Sequence, residues 1–137
     1  MNSRILAVDY GEHNFGLAIS DPEGRLSLPL PAYKAQNQKE FLRHLSELIR
    51  SEQVGLVVVG IPTTLKGSES AKTKEVKLFL QKLSVELSVP VKGYDERLTT
   101  QVALKKMRQA EFRLKRHKRK VDSLAAAEIL QSYLDSR

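Results

Sequence analysis

The sequence predicts an α/β protein with a five-stranded mixed sheet flanked by helices, in which a three-strand antiparallel meander precedes two parallel strands. Three observations predict this fold class. Short apolar runs separated only by turns open the chain, two further apolar runs each follow a segment of helical periodicity, and two helical segments close it. The predicted element order is therefore β-β-β-α-β-α-β-α-α.

The first three strands are short and lie close together in the sequence. Arg4–Asp9 is an apolar run of strand length, and Phe15–Ser20 follows after a turn flanked by glycines. The third strand, about Leu26–Tyr33, contains two prolines, which cannot donate to a strand ladder. We therefore expect it at an edge of the sheet.

Helices and buried strands alternate over the middle of the chain. Asn37 and the glutamate three residues later form a capping-box-like helix start. The continuous apolar run Val54–Gly60 is typical of a strand buried on both faces, and Val89–Val91 is a shorter strand limited by its proline. Helices are predicted for about 38–53, Ser68–Leu87, Gln101–Gln109 and Val121–Leu134.

Composition favours a single domain over residues 1–137. Apolar residues make up 41% and charged residues 28%, as in an ordinary globular protein. Cysteine is absent, which excludes disulfides and thiolate metal sites. No apolar run reaches the about eighteen residues of a membrane span, and no signal-peptide pattern is present, so we expect a cytoplasmic protein without a membrane partner.

The net charge of +7 predicts a polyanionic partner. Between Lys105 and Lys120 nine residues are basic and only Glu111 is acidic. We interpret this basic run as a clamp that contacts nucleic-acid phosphates; a solvated segment is the alternative. Two aromatic residues, Tyr94 and Phe112, are candidates either for stacking on an unpaired base or for the core. The clamp residues are Arg113, Lys115, Arg116, Lys118, Arg119 and Lys120.

Three carboxylates are expected to meet at one end of the sheet. Asp9 is at the carboxyl end of the first strand, and Glu96 lies just past the last strand, which a right-handed crossover places at the same rim. Asp122 shares a helical face with Ala126 and Ile129, and so stands in line with residues that should pack on the sheet. Each has a simpler alternative as a turn cap, a surface ion pair or a helix N-terminal residue, respectively.

Like charges held together need a cation between them. Oxygen ligands alone favour a hard cation, Mg²⁺ or Mn²⁺. Beside a basic surface, this arrangement suggests phosphodiester hydrolysis with two metal ions.

The chain resembles the YqgF family of ribonuclease H-like proteins over nearly its whole length. The motifs that carry this resemblance are Asp9-x-Gly11-x-x-x-x-Gly16-x-Ala18-x-Ser20-Asp21, Val59-Gly60-Ile61-Pro62 with Gly67-Ser68, Asp95-Glu96-Arg97-Leu98-Thr99-Thr100, and Lys120-Val121-Asp122-Ser123-Leu124-Ala125-Ala126 with Ile129-Leu130-Gln131-Ser132-Tyr133-Leu134. The resemblance implies a ribonuclease H-like fold and a nuclease of precursor 16S rRNA or of Holliday junctions. It also places the acidic site residues at Asp9, Glu96 and Asp122.

The motifs differ from the family pattern at two places. His13-Asn14 stands where a basic pair is usual, and Thr63-Thr64 replaces an apolar-Asn pair. His13 is therefore an auxiliary candidate, for phosphate binding when protonated or for proton transfer, and otherwise a solvated turn residue.

The residues around Glu96 supply the other auxiliary candidates. Asp95 could be an outer ligand or could orient Arg97. Arg97 could bind a phosphate through two nitrogens or pair with Asp95 or Glu96. Thr99 or Thr100 should cap the following helix, where backbone amides could also face a phosphate.

The function predicted from the sequence is metal-dependent endonuclease activity on structured nucleic acid. The favoured partner is precursor rRNA in a ribosomal particle, with processing of the 5′ end of 16S rRNA. Holliday junction resolution on four-way DNA is the alternative, and a non-catalytic nucleic-acid-binding domain is a second. An actin-like nucleotide binder is disfavoured, because it needs two such domains and 137 residues supply only one.

Overall fold

Five strands and four helices of eight residues or more make up the part of the chain that the computed structural model describes, residues 3–63, 66–116 and 123–137. The strands are β1 (Arg4–Asp9), β2 (Asn14–Ser20), β3 (Ser27–Lys34), β4 (Val54–Ile61) and β5 (Val91–Asp95). The helices are α1 (Gln38–Ser51), α2 (Ala71–Glu86), α3 (Gln101–Arg116) and α4 (Leu124–Asp135), and a 3₁₀ turn covers Glu96–Leu98.

The sheet has the order β3-β2-β1-β4-β5. β1 pairs antiparallel with β2 and β2 with β3, whereas β4 is parallel to both β1 and β5. The predicted mixed sheet, with a meander and two parallel strands, is confirmed. The proline-containing strand β3 is at an edge, as expected.

The predicted bounds of three elements are wrong. The second helix begins at Ala71 and not at about Ser68, because Ser70 is its N-cap. The last strand is Val91–Asp95 and not Val89–Val91, because Pro90 has no N–H and the ladder with β4 begins only after it. The third helix continues to Arg116 beyond its predicted end at Gln109, since no glycine or proline interrupts it there. The predicted start of the last helix at Val121 lies outside the described residues.

The sheet is covered on both faces. α1 and α2 cover one face, where Phe15, Phe41 and Phe79 form the centre of the larger apolar cluster. α4 covers the other face with small residues, and α3 packs on α4. Ala126 and Ala127 are fully buried, so α4 approaches the sheet closely. Within the described residues, no helix combines the length and the apolar character that a membrane crossing requires.

Three buried polar side chains fix the position of α4. Ser123 Oγ accepts a hydrogen bond of 2.9 Å from Leu17 N, where the β2–β3 ladder shifts register. Gln131 Oε1 accepts from Ser27 N at 3.0 Å, and Ser132 Oγ donates to Leu98 O at 2.8 Å. The helix is thus tied to β2, to β3 and to the 3₁₀ turn, and its first residues are held at the end of the sheet where β1 ends.

Candidate active site

Asp9 has a glycine beside it on each neighbouring strand. It pairs with Gly16 on β2, and the β1–β4 register, in which Val8 faces Val59, places Gly60 level with it. A Cβ atom built on Gly16 would lie 3.3 Å from Asp9 Cβ and 3.5 Å from Ala126 Cβ. The two glycines therefore leave room for acidic side chains under α4.

Glu96 occupies the space above Gly60. It is the first residue of the 3₁₀ turn that follows β5, and a Cβ on Gly60 would lie 3.3 Å from Glu96 Cγ and 2.5 Å from Ile129 Cδ1. The end of β5 thus brings Glu96 to the same face of the sheet as Asp9, and level with it along the strands. The structure brings these two predicted site residues together.

Burial is the largest influence on both carboxyl groups. Burial raises the pKa of Asp9, against the charge of Lys72, which lowers it. Burial also raises the pKa of Glu96, and the negative charges of Asp9 and Asp95 raise it further, again against Lys72. Among the described residues, no side chain or backbone group donates a hydrogen bond to either carboxylate.

Asp122, the third predicted acid, lies outside the described residues. The residue that follows it, Ser123, is described and hydrogen-bonds to Leu17, next to the glycine that pairs with Asp9. The role of Asp122 stays a prediction.

The sequence reasoning missed Lys72, which is in the first turn of α2. Its Nζ lies 4.8 Å from the centroid of the Tyr10 ring and 4.0 Å from Glu75 Oε2, and the Tyr10 hydroxyl donates to Glu75 Oε1 at 3.0 Å. Tyr10 directly follows Asp9, so this cluster borders the acidic pair. One feature of the sequence could have indicated Lys72. The carboxyl end of β4 is at the site, and Lys72 is at the start of the helix that follows β4.

Asp95 turns away from the acidic pair and binds Arg97. Arg97 Nη2 and Nε contact Asp95 Oδ2 at 2.6 and 3.0 Å, and the Thr63 hydroxyl donates to Asp95 Oδ1 at 3.0 Å. The hydrogen bonds from the Arg97 side chain are the largest cause that lowers the pKa of Asp95, to about 2. The structure therefore shows the predicted ion pair, with Asp95 orienting Arg97 at the border of the site.

The remaining auxiliary candidates occupy different positions. Thr100 Oγ1 accepts from Ala103 N at 3.1 Å and caps α3, while Thr99 N closes the 3₁₀ turn by donating to Glu96 O. His13 is exposed in the β1–β2 turn, and its carbonyl accepts from Ala35 N. Its role in proton transfer or phosphate binding stays a prediction.

The predicted basic clamp is described only in part. Arg113, Lys115 and Arg116 are on the last turns of α3, whereas Lys118, Arg119 and Lys120 lie outside the described residues. Their contact with nucleic acid stays a prediction.

The donor set fits a hard cation. Within residues 3–63, 66–116 and 123–137, no group of three or more His, Cys, Asp or Glu residues is arranged to hold a metal. The described part supplies two half-buried carboxylates, Asp9 and Glu96, without hydrogen-bond donors, so their charge calls for a cation. Asp122 is the third predicted ligand and stays a prediction.

Two solved structures share this fold over almost the whole chain. RuvC of T. thermophilus in complex with a Holliday junction substrate matches with a TM-score of 0.66 and 18% identity, covering 98% of this chain and 95% of that one. The Fowlpox virus resolvase in complex with Holliday junction DNA matches with a TM-score of 0.55 and 15% identity, covering 97% of each chain. The fold is thus ribonuclease H-like.

The family follows from sequence comparison. Residues 3–136 match the model of the RuvX family, described as Holliday junction resolvase, and the chain belongs to this family. A relative from Chloroflexus aurantiacus is 38% identical over 138 residues, covering 100% of this chain and 90% of its own length. One from Dictyoglomus thermophilum is 37% identical over 133 residues, covering 97% and 96%. Both are named as candidate pre-16S rRNA nucleases, and the resemblance to the YqgF family is confirmed.

Proposed function

We propose that the chain is a divalent-metal-dependent endonuclease that cleaves structured nucleic acid. Its catalytic residues would be Asp9, Glu96 and Asp122. The observation that carries this proposal is that Asp9 and Glu96 lie together beside Gly16 and Gly60, with raised pKa values and with no hydrogen-bond donor among the described residues. Two like charges in one half-buried place cost stability unless a cation joins them. A cation-binding role explains why both are carboxylates.

The three acids would hold Mg²⁺ or Mn²⁺ through oxygen atoms. Such an ion supplies charge stabilisation for the phosphodiester and lowers the pKa of water. The ionised side chains of Asp9 and Glu96 would hold and orient the ion, and α4 closes one side of the site with apolar side chains. Gly16 and Gly60 keep the space between strand and helix open.

Cations around the site are suited to hold the substrate backbone. Lys72 faces the two carboxylates from α2, and Arg97 presents a guanidinium that Asp95 holds in place. Both would contact phosphate oxygens on either side of the cleaved bond. Contacts to phosphates position a substrate without reading its sequence, which fits a nuclease that recognises shape.

We favour precursor 16S rRNA, at its 5′ end, as the substrate. The full-length relatives named for this rRNA are 35–38% identical to the chain, whereas the junction-bound structures share only 15–18%. Four-way DNA is the second candidate, because the family model carries that description and the fold matches junction-bound proteins.

The experiment offers the purified protein a precursor 16S rRNA fragment and a synthetic four-way junction, each with Mg²⁺ or Mn²⁺. We expect cleavage of the RNA by the wild type, loss of cleavage in Glu96→Gln, and wild-type behaviour in Glu86→Gln, which removes an exposed charge at the far end of α2. Cleavage of the four-way junction but not of the RNA would make four-way DNA the proposed substrate in place of precursor 16S rRNA. Equal cleavage by wild type and Glu96→Gln would refute the site.

A further inference from the structure

The outward face of α3 carries an exposed aromatic ring among cations. We propose that this face binds unpaired nucleotides, with Phe112 stacking on a base and with Lys105 and Arg108 contacting the flanking phosphates. The inference rests on the proposed function only in that the partner is a nucleic acid. It adds a binding site for single-stranded segments on α3, which carries none of the three proposed catalytic acids.

The helix geometry separates this face from the core. Ala103 and Met107 are buried against the α4 side of the protein. At about 100° per residue, Phe112 is turned about 180° from Ala103, Lys105 about 200° and Arg108 about 140°. The three side chains therefore share one stripe directly opposite the packed face.

Phe112 makes no contribution to the described core. Its exposed fraction is 66%, and it belongs to neither apolar cluster. Tyr94 is different: its hydroxyl bonds with Ser132 Oγ at 2.8 Å, and its ring meets Tyr133 edge to face at 5.8 Å. Of the two aromatic residues that the sequence left open, the structure makes Phe112 the one available for stacking.

The charges around Phe112 indicate which kind of ligand this face of α3 binds. Lys106, towards the other side of the helix, contacts Asp135 Oδ2 at 3.5 Å. Lys105 and Arg108 form no ion pair with any residue that the structure describes. One apolar residue, Leu104, lines this surface beside Phe112, and the other four lining residues are polar or charged: Gln101, Lys105, Arg108 and Gln109. The centre of a protein-docking patch is instead depleted of charged residues. Unpaired cations beside an exposed ring match single-stranded nucleic acid, in which anionic backbone and π-faces alternate.

The stripe begins at Gln101, five residues after Glu96. α3 starts three residues after the 3₁₀ turn that carries Glu96. From Gln101 to Phe112 the helix rises about 16 Å, roughly the length of five stacked nucleotides at about 3.4 Å each. A single strand that lies along α3 would therefore lead from Phe112 towards the acidic pair.

A tryptophan reporter tests the stacking. The chain contains no tryptophan, so Phe112→Trp introduces one fluorophore at the proposed site, and Leu78→Trp introduces one at a matched exposed position on α2 (Leu78 is 67% exposed). Each protein is titrated, in EDTA to prevent cleavage, with a short oligouridylate and with an abasic oligonucleotide of equal length. We expect the bases to quench the fluorescence of Phe112→Trp, the abasic strand to quench it far less, and neither to affect Leu78→Trp.

Binding of the same oligouridylate to alanine variants gives the magnitude. Phe112→Ala should weaken binding roughly 5- to 150-fold, and Leu78→Ala should leave it unchanged. Equal quenching by the abasic strand, unchanged binding by Phe112→Ala, or no binding of oligouridylate would each overturn the proposal. A lower oligomeric state of Phe112→Ala with unchanged binding would instead mark a contact between copies of the chain. Because these titrations need no metal, their outcome is independent of whether the acidic site cleaves.

Discussion

Replacing Asp9 by asparagine is expected to stabilise the metal-free protein and to abolish its stabilisation by Mg²⁺. A raised carboxyl pKa means that the folded state holds the proton more tightly than the unfolded chain, so the ionised group destabilises the fold. This destabilisation is fully present above the folded pKa and disappears as the pH falls below the ordinary carboxyl pKa. The gain from Asp9→Asn should therefore be large at neutral pH and shrink in acid.

The size of the effect follows from the surroundings of the two carboxylates. Two unit charges about 4 Å apart repel by about 1 kcal/mol in water and about 4 kcal/mol at an effective dielectric constant near 20. Asp9 and Glu96 are only half-buried and Lys72 offsets both charges, so we expect the lower value, about 1 kcal/mol. For a chain of this size that corresponds to about 4 °C in melting temperature.

Metal should reverse the order of stability. At a free Mg²⁺ concentration 100 times its dissociation constant, the wild type gains about 2.7 kcal/mol, or about 10 °C, and Asp9→Asn gains little. Thermal unfolding followed by circular dichroism, with EDTA and with Mg²⁺, measures both. Asp21→Asn is the matched control: backbone N–H groups lower the pKa of Asp21, so its replacement should destabilise. A metal-free Asp9→Asn protein less stable than wild type would refute the reasoning.

Three further predictions concern residues around the acidic pair. Lys72→Ala should weaken substrate binding about tenfold through a lost charged contact, whereas Lys74→Ala, also on α2, should not; binding isotherms measure this. The Asp95 ion pair should contribute up to about 1 kcal/mol above about pH 4 and lose it as the pH falls towards 2, so acid unfolding of Asp95→Asn should converge with wild type there. Gly60→Ala, whose Cβ would lie 2.5 Å from Ile129 Cδ1, should cost about 1–3 kcal/mol in urea unfolding.

Each of these has a result that contradicts it. Equal losses in the Lys72 and Lys74 variants would mean that Lys72 acts only through general charge. If the stability difference between Asp95→Asn and wild type did not change between pH 4 and 2, the ion pair would not be its cause. A Gly60→Ala protein as stable as wild type would show that the sheet does not depend on the open space beside Asp9.

The sequence was sufficient for the sheet and for the first two acids, because strand ends are visible in it. Apolar runs mark where β1 and the parallel strands lie, and the carboxyl ends of parallel strands meet at one edge. β5 begins two residues and ends four residues later than predicted, and Glu96 follows its end directly. Pro90 indicated that the ladder with β4 is interrupted near Val89–Val91. It did not indicate that the strand lies on the C-terminal side of the proline.

Features that depend on how helices rotate about their axes could not be predicted. The charge of Lys72 acts on the acidic pair because α2 directs its first turn towards Tyr10, and no pattern in the sequence gives that rotation. Tyr94 and Phe112 are equivalent as aromatic residues in a sequence, but one bonds with Ser132 and the other lies opposite the packed face of α3. The sequence offers both Asp95 and Glu96 as ion-pair partners of Arg97. The side-chain geometry shows that the partner is Asp95.

The most direct test of the central claim is the single-turnover cleavage rate of a precursor 16S rRNA fragment as Mn²⁺ is raised, for wild type and Asp122→Asn. If three acids hold the cation, wild-type cleavage rises with Mn²⁺ and saturates. Asp122→Asn then loses more than the about 10- to 100-fold typical of a residue that only supports a ligand. Cleavage by Asp122→Asn at the wild-type rate and with the same Mn²⁺ dependence would contradict the claim.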